Sequence, residues 1–145
     1  MLKLASYSAL SLVSVLGLMA AAPPVAAAPS PFDGRWSVML SCPATTDGKA
    51  MAYAYQFAAQ VKDGVLHGER GTAGAPGWLQ FDGPIAADGS AELVAQGLTN
   101  IPSYALYNVS KGTPYKHAVK AQFQAGHGTG SWTTVRTCTF AFDRP

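Results

Sequence analysis

Along most of this chain, apolar and polar residues alternate one for one. Trp36, Val38, Leu40 and Cys42 alternate with Arg35, Ser37, Met39 and Ser41. Tyr53, Tyr55, Phe57, Ala59 and Val61 do the same, as do Tyr115, His117, Val119, Ala121 and Phe123. A period of two is the signature of a strand with one covered face. Trp132, Arg136, Cys138, Phe140 and Phe142 continue the pattern and predict one long last strand over 132–142. Shorter strands are predicted over 65–70, 78–85, 91–97 and 104–109. Four Asp-Gly pairs punctuate the pattern, at Asp47-Gly48, Asp63-Gly64, Asp82-Gly83 and Asp88-Gly89. Asp63-Gly64 and Asp88-Gly89 fall between strand patterns and read as hairpin turns. Asp82-Gly83-Pro84 reads as a bulge or kink inside a strand. The glycine-rich run from Gly126 to Gly130 reads as the turn before the last strand. No window carries a helical stripe. About eight antiparallel strands result, which fit an all-β up-and-down β-barrel or, as the alternative, a β-sandwich.

The first 27 residues are read apart from this pattern. Lys3 is the one charge before a long apolar run, and Pro23-Pro24 and the small residues Val25, Ala26 and Ala27 follow it. That order predicts a secretory signal peptide over 1–27, cleaved after Ala27, and a single domain over 28–145. No transmembrane span would remain after cleavage, and the product would be periplasmic or secreted. An oxidising compartment favours a Cys42–Cys138 disulfide. Such a bond joins the first and last strands, which are neighbours in a closed barrel. The formal net charge of +2 is too small for a nucleic-acid footprint.

Gly34-Arg35-Trp36 opens the first strand behind a short tail, and Arg136 lies in phase with Trp132 and Phe140. This resembles the calycin pattern shared by lipocalins, avidins and small bacterial protease-inhibitor barrels. The resemblance implies that Trp36 packs its indole beneath the barrel floor. It implies that Arg136 covers that indole by a cation–π contact, with Arg144 as the alternative. The chain lacks further lipocalin motifs and the tryptophans of an avidin biotin pocket. The tail Ala28-Pro29-Ser30-Pro31 is short beside the free segment with which the inhibitors reach a protease zinc.

Chemistry-bearing residues are few. His117 falls on the inward face, where it could line a ligand cavity, act as a base or metal ligand, or be a satisfied core histidine. His67 and Glu69 share one face of a short strand. With His117 they could supply two imidazoles and a carboxylate to a metal, or they could form a solvated edge with Arg70. His127 falls in a turn and is expected to be exposed. Both cysteines are expected to be oxidised, and no nucleophile elbow or phosphate loop occurs. No catalytic residue, metal site or cofactor is therefore assigned. Asn108-Val109-Ser110 fits a glycosylation acceptor by chance.

Inward aromatics support a binding role instead. His117, Tyr55, Tyr115, Phe123, Trp132 and Arg136 are the expected ligand-binding residues, and an eight-stranded barrel has room for one small guest or none. The leading expectation is an exported barrel that binds a small apolar or aromatic molecule. A protein-binding or protease-inhibitor module with an envelope partner is the alternative, using loops near 71–77 and 100–114. A small metal enzyme built on His67, Glu69 and His117 comes third.

Overall fold

A computed structural model of the chain describes residues 21–22 and 29–145, so the leader expected over 1–27 lies almost wholly outside the described residues. The alternating stretches form eight strands: β1 (Gly34–Cys42), β2 (Tyr53–Lys62), β3 (Val65–Arg70), β4 (Leu79–Pro84), β5 (Ser90–Leu98), β6 (Pro114–Phe123), β7 (His127–Thr133) and β8 (Thr137–Asp143). Each pairs antiparallel with the next, and β8 returns to β1, closing an up-and-down barrel. Closure leaves no open sheet edge. β1 faces β8 over Ser37–Ser41, and the next pair in that register is Cys42 with Cys138, which form a disulfide. No described helix is long and apolar enough to cross a membrane.

The Asp-Gly pairs do different work. Asp63 and Gly64 both have positive φ, 51° and 74°, as a two-residue hairpin turn requires. Asp33 fastens that turn by accepting from the Asp63 and Gly64 amides at 3.2 and 2.9 Å. Asp88-Gly89 closes the β4–β5 hairpin, with the Gly89 amide donating to the Ala86 carbonyl. Gly83 kinks β4 without shifting its register: pairing with β5 lapses after Asp82–Val94 and resumes at Ile85–Ala91. A β-carbon on Gly83 would lie 2.8 Å from Leu93, so only glycine lets the two chains approach this closely.

Two sequence expectations need correction. The stretch 132–142 is not one strand. Residues 134–136 turn the chain, and β7 begins already at His127, inside the glycine run expected to be the loop. Gly128 and Gly130 sit inward, close against residues of β6. A β-carbon on Gly128 would lie 3.1 Å from the Phe123 ring, and one on Gly130 would lie 3.0 Å from Ala121 Cβ. Glycine in this strand answers close packing against its partner strand and is not a loop signal. The second correction is 104–109, which forms no strand. Pro102–Tyr104 and Leu106–Asn108 are short 3₁₀ turns, and Tyr107 and Asn108 have φ of 61° and 48°. A left-handed pair cannot hold a ladder. The strand count stays at eight because one strand is lost and another gained.

Aromatic rings fill the lower barrel. Phe81 stacks on Phe140 at 5.0 Å, and Phe123 packs against Phe142 at 4.6 Å and edge-on to Trp36 at 5.4 Å. Phe32, from the tail before β1, packs on Phe123 and closes this end. Trp36 Nε1 donates to the Phe32 carbonyl at 2.8 Å, which fixes the tail across the floor. At the opposite end lie the loops 43–52, 71–78, 99–113 and 134–136. That end is the mouth.

Candidate ligand-binding site

The upper ends of β2, β6, β7 and β8 enclose a cavity of about 600 Å³. It arises because the inward positions there carry rings on some strands and almost nothing on others. Tyr53 and Tyr55 stand on β2, Tyr115 and His117 on β6, and Trp132 on β7. The facing positions of β5 are Ala95 and Gly97. A β-carbon on Gly97 would lie 2.7 Å from the Tyr115 hydroxyl and 2.1 Å from the Trp78 carbonyl oxygen. Glycine is thus what lets Tyr115 lie against this wall. The rings also brace one another, Tyr53 on Tyr55 at 5.8 Å and His117 between Tyr115 at 5.7 Å and Trp132 at 4.6 Å. Leucine and tyrosine side chains of the loop 99–113 cover part of the opening.

Burial sets the protonation of this lining. It raises the Tyr53 and Tyr55 phenols above their ordinary value and pushes Tyr115 up to about 12. All three therefore stay neutral at physiological pH. Burial lowers His117, favouring the neutral imidazole. No described side chain or carbonyl hydrogen-bonds that imidazole, and no sealed side-chain nitrogen or oxygen lacks a partner among the described residues. The ring nitrogens of His117 are therefore open to the cavity.

Arg136 is the buried cation of the mouth, at 8% exposure. It sits in the β7–β8 turn, and its Nη1 donates to the carbonyls of Pro43 and Met51 at 2.8 and 2.9 Å. Its Nη2 donates to the carbonyl of Tyr104 at 2.6 Å, and the guanidinium lies 5.1 Å from the centre of the Tyr53 ring. Three mouth segments are thus held by one side chain.

Five of the six residues expected to touch a ligand line this cavity: Tyr55, Tyr115, His117, Trp132 and Arg136. Phe123 does not. It sits at the floor among Phe32, Trp36 and Phe142, because β6 runs from mouth to floor and Phe123 is its last residue. Arg136 also does not cover Trp36. The guanidinium over that indole, at 5.0 Å, belongs to Arg144, whose Nη2 also donates to the Pro31 carbonyl. The turn at 134–136 carries Arg136 to the mouth, whereas Arg144 follows β8 down to the floor.

His67 and Glu69 do not meet His117. They point outward from β3, where His67 pairs with Asp82 and Glu69 accepts from Trp78 Nε1 at 2.8 Å. No group of three or more potential metal ligands occurs among the described residues. His127 is exposed and pairs with Asp143 at 2.7 Å. Arg70 is expected from the sequence to belong to the solvated edge of β3. Its phase carried the signal: it follows Leu66 and Gly68, both inward. Its guanidinium lies 4.2 Å from the centre of the Tyr55 ring, at the cavity mouth. Tyr53 and Tyr104 also line the cavity.

No family model, no curated protein and no solved structure matches this chain.

Proposed function

We propose that this chain is an exported, calycin-like barrel that binds a small apolar or aromatic molecule at its mouth. One observation carries the reading: a cavity of about 600 Å³ walled by Tyr53, Tyr55, Tyr115, His117 and Trp132 above a filled core. That volume lies within the range of small-molecule sites, and the lining is aromatic with few polar groups. The Cys42–Cys138 bond and the leader read over 1–27 support an oxidising, periplasmic or secreted setting. The closed eight-stranded barrel, with Trp36 sealed at its floor, supports the calycin-like likeness.

Native mass spectrometry of protein purified from its own cell envelope tests the reading, followed by titration with neutral aromatic compounds. A retained molecule of small mass is expected, together with saturable quenching of tryptophan emission that Trp132→Phe abolishes. Trp36 at the floor and Trp78 on the outer wall would not respond. Folded protein that carries no adduct and gives no saturable Trp132 signal overturns the reading.

A second reading, a protein-binding module, is supported by the rim. Met51, Ile101, Val135 and Tyr107 are exposed on the mouth loops, Tyr107 at 80%. Unchanged capture of an envelope protein after Tyr107→Ser and Ile101→Ser would remove it.

A further inference from the structure

We propose that the guest is an acid, an apolar or aromatic body bearing one anionic head group held at the mouth by Arg70 with Arg136 behind it. The proposal rests on the binding reading above and narrows it to a ligand class.

Two residues of the cavity wall are permanently cationic, Arg70 and Arg136, and no wall residue is Asp or Glu. A neutral apolar guest would have no use for them. The nearest carboxylate in the chain to Arg70, Glu69, points outward and is engaged by Trp78 Nε1.

A guanidinium has five N–H donors. Arg136 uses both on Nη1 and one on Nη2 for the carbonyls of Pro43, Met51 and Tyr104. Arg136 is thereby committed to the mouth loops, lies against Tyr53, and contributes its charge to the cavity wall. Arg70 is freer. Its one hydrogen bond, to the Gly77 carbonyl, is long at 3.5 Å, and its guanidinium lies over the Tyr55 ring at the opening. A planar fork with free donors suits the two oxygens of a carboxylate or sulfonate.

Charge is also unevenly distributed over the barrel. Strand direction places Lys49, Arg70, Lys111, Lys116 and Arg136 at the mouth half, with Asp47 and Glu69 as its acids. The floor half carries the other six carboxylates against four basic residues. A basic mouth over an acidic floor steers an anion to the opening.

A matched pair of fluorescent probes tests this. N-phenyl-1-naphthylamine is neutral, and 1-anilinonaphthalene-8-sulfonate is the same skeleton with one anionic group. The wild-type protein is titrated with each at low salt. Both are expected to bind at one shared site, shown by mutual displacement, with the sulfonate about tenfold tighter, as one charge-assisted hydrogen-bonded contact supplies. Arg70→Gln should weaken the sulfonate about five- to tenfold more than it weakens the neutral probe. Arg70→Lys should restore part of the loss. Arg70 is exposed, so these variants should fold, and an unchanged urea midpoint checks that. If both probes bind equally, or Arg70→Gln weakens both alike, the acid proposal fails and the cavity reading stands. If neither probe binds the folded protein, the cavity reading itself fails.

Discussion

Removing the Cys42–Cys138 bond should cost this barrel a large part of its stability, chiefly through the unfolded chain. The two cysteines are 96 residues apart in sequence, so the bond closes a loop spanning most of the domain. The chain-entropy relation gives roughly 4–5 kcal/mol at 25 °C for a loop of that size. The native seam does not depend on the bond alone, because β1 and β8 remain paired from Ser37–Asp143 to Ser41–Thr139. The barrel should therefore still close when the bond is absent. Small domains have about 5–15 kcal/mol to lose, so the expected loss leaves a marginal protein. Two forms separate the causes. Reduced wild type keeps both buried sulfurs and lacks only the cross-link, whereas Cys42→Ala/Cys138→Ala also leaves a small void. Equilibrium urea unfolding should show a midpoint lower by roughly 2–4 M for both forms, and a steeper dependence on urea because the unfolded chain is more open. The two forms should differ by less than about 1 kcal/mol. A loss below about 1 kcal/mol on reduction, with an unchanged slope, would refute the reasoning and assign seam stability to the ladder.

Arg136→Met should destabilise by about 2–4 kcal/mol in urea unfolding, since three carbonyls lose a charged donor. Arg144→Met, at the exposed floor, should cost less than about 1 kcal/mol. Reversal of that order would contradict the positions assigned to the two arginines. His117 is held below its ordinary value of about 6.5 by burial. The unfolded chain therefore takes up a proton at His117 before the folded one does. Its contribution is complete above about pH 6.5 and is lost as pH falls from there toward the folded value. Melting temperatures of wild type and His117→Phe should run parallel above pH 7 and diverge between pH 6.5 and 5, with the wild type losing more. Parallel curves throughout would show that His117 is not desolvated.

Local patterning carried the fold a long way. Alternation assigns a face to each residue within a strand, because the side-chain period of a strand is two. That sufficed for β1, β2 and β6, for the Asp63-Gly64 turn and for the inward placement of Tyr55, Tyr115, His117 and Trp132. The same rule would have marked Arg70 as inward, had its charge not suggested solvent. Alternation cannot say where along the barrel axis an inward residue sits. Tyr115 and Phe123 share a face of one strand, yet Tyr115 lines the mouth and Phe123 seals the floor. Nor can it detect a reversal that preserves phase. Trp132 and Cys138 stayed in step because they pair directly across the β7–β8 hairpin, so the turn between them was invisible. That hidden turn sent Arg136 to the mouth and left Arg144 to cover Trp36. Gly128 and Gly130 misled in the same way, since their reason lies in the Phe123 and Ala121 side chains of another strand.

The sequence by itself determined the strand periodicity, the inward faces and the residues available to a disulfide, because these depend on neighbours in the chain. Closure of the barrel, the direction of each strand between floor and mouth, and the gathering of two arginines around an aromatic cavity depend on contacts distant in sequence. Only the tertiary structure decided them.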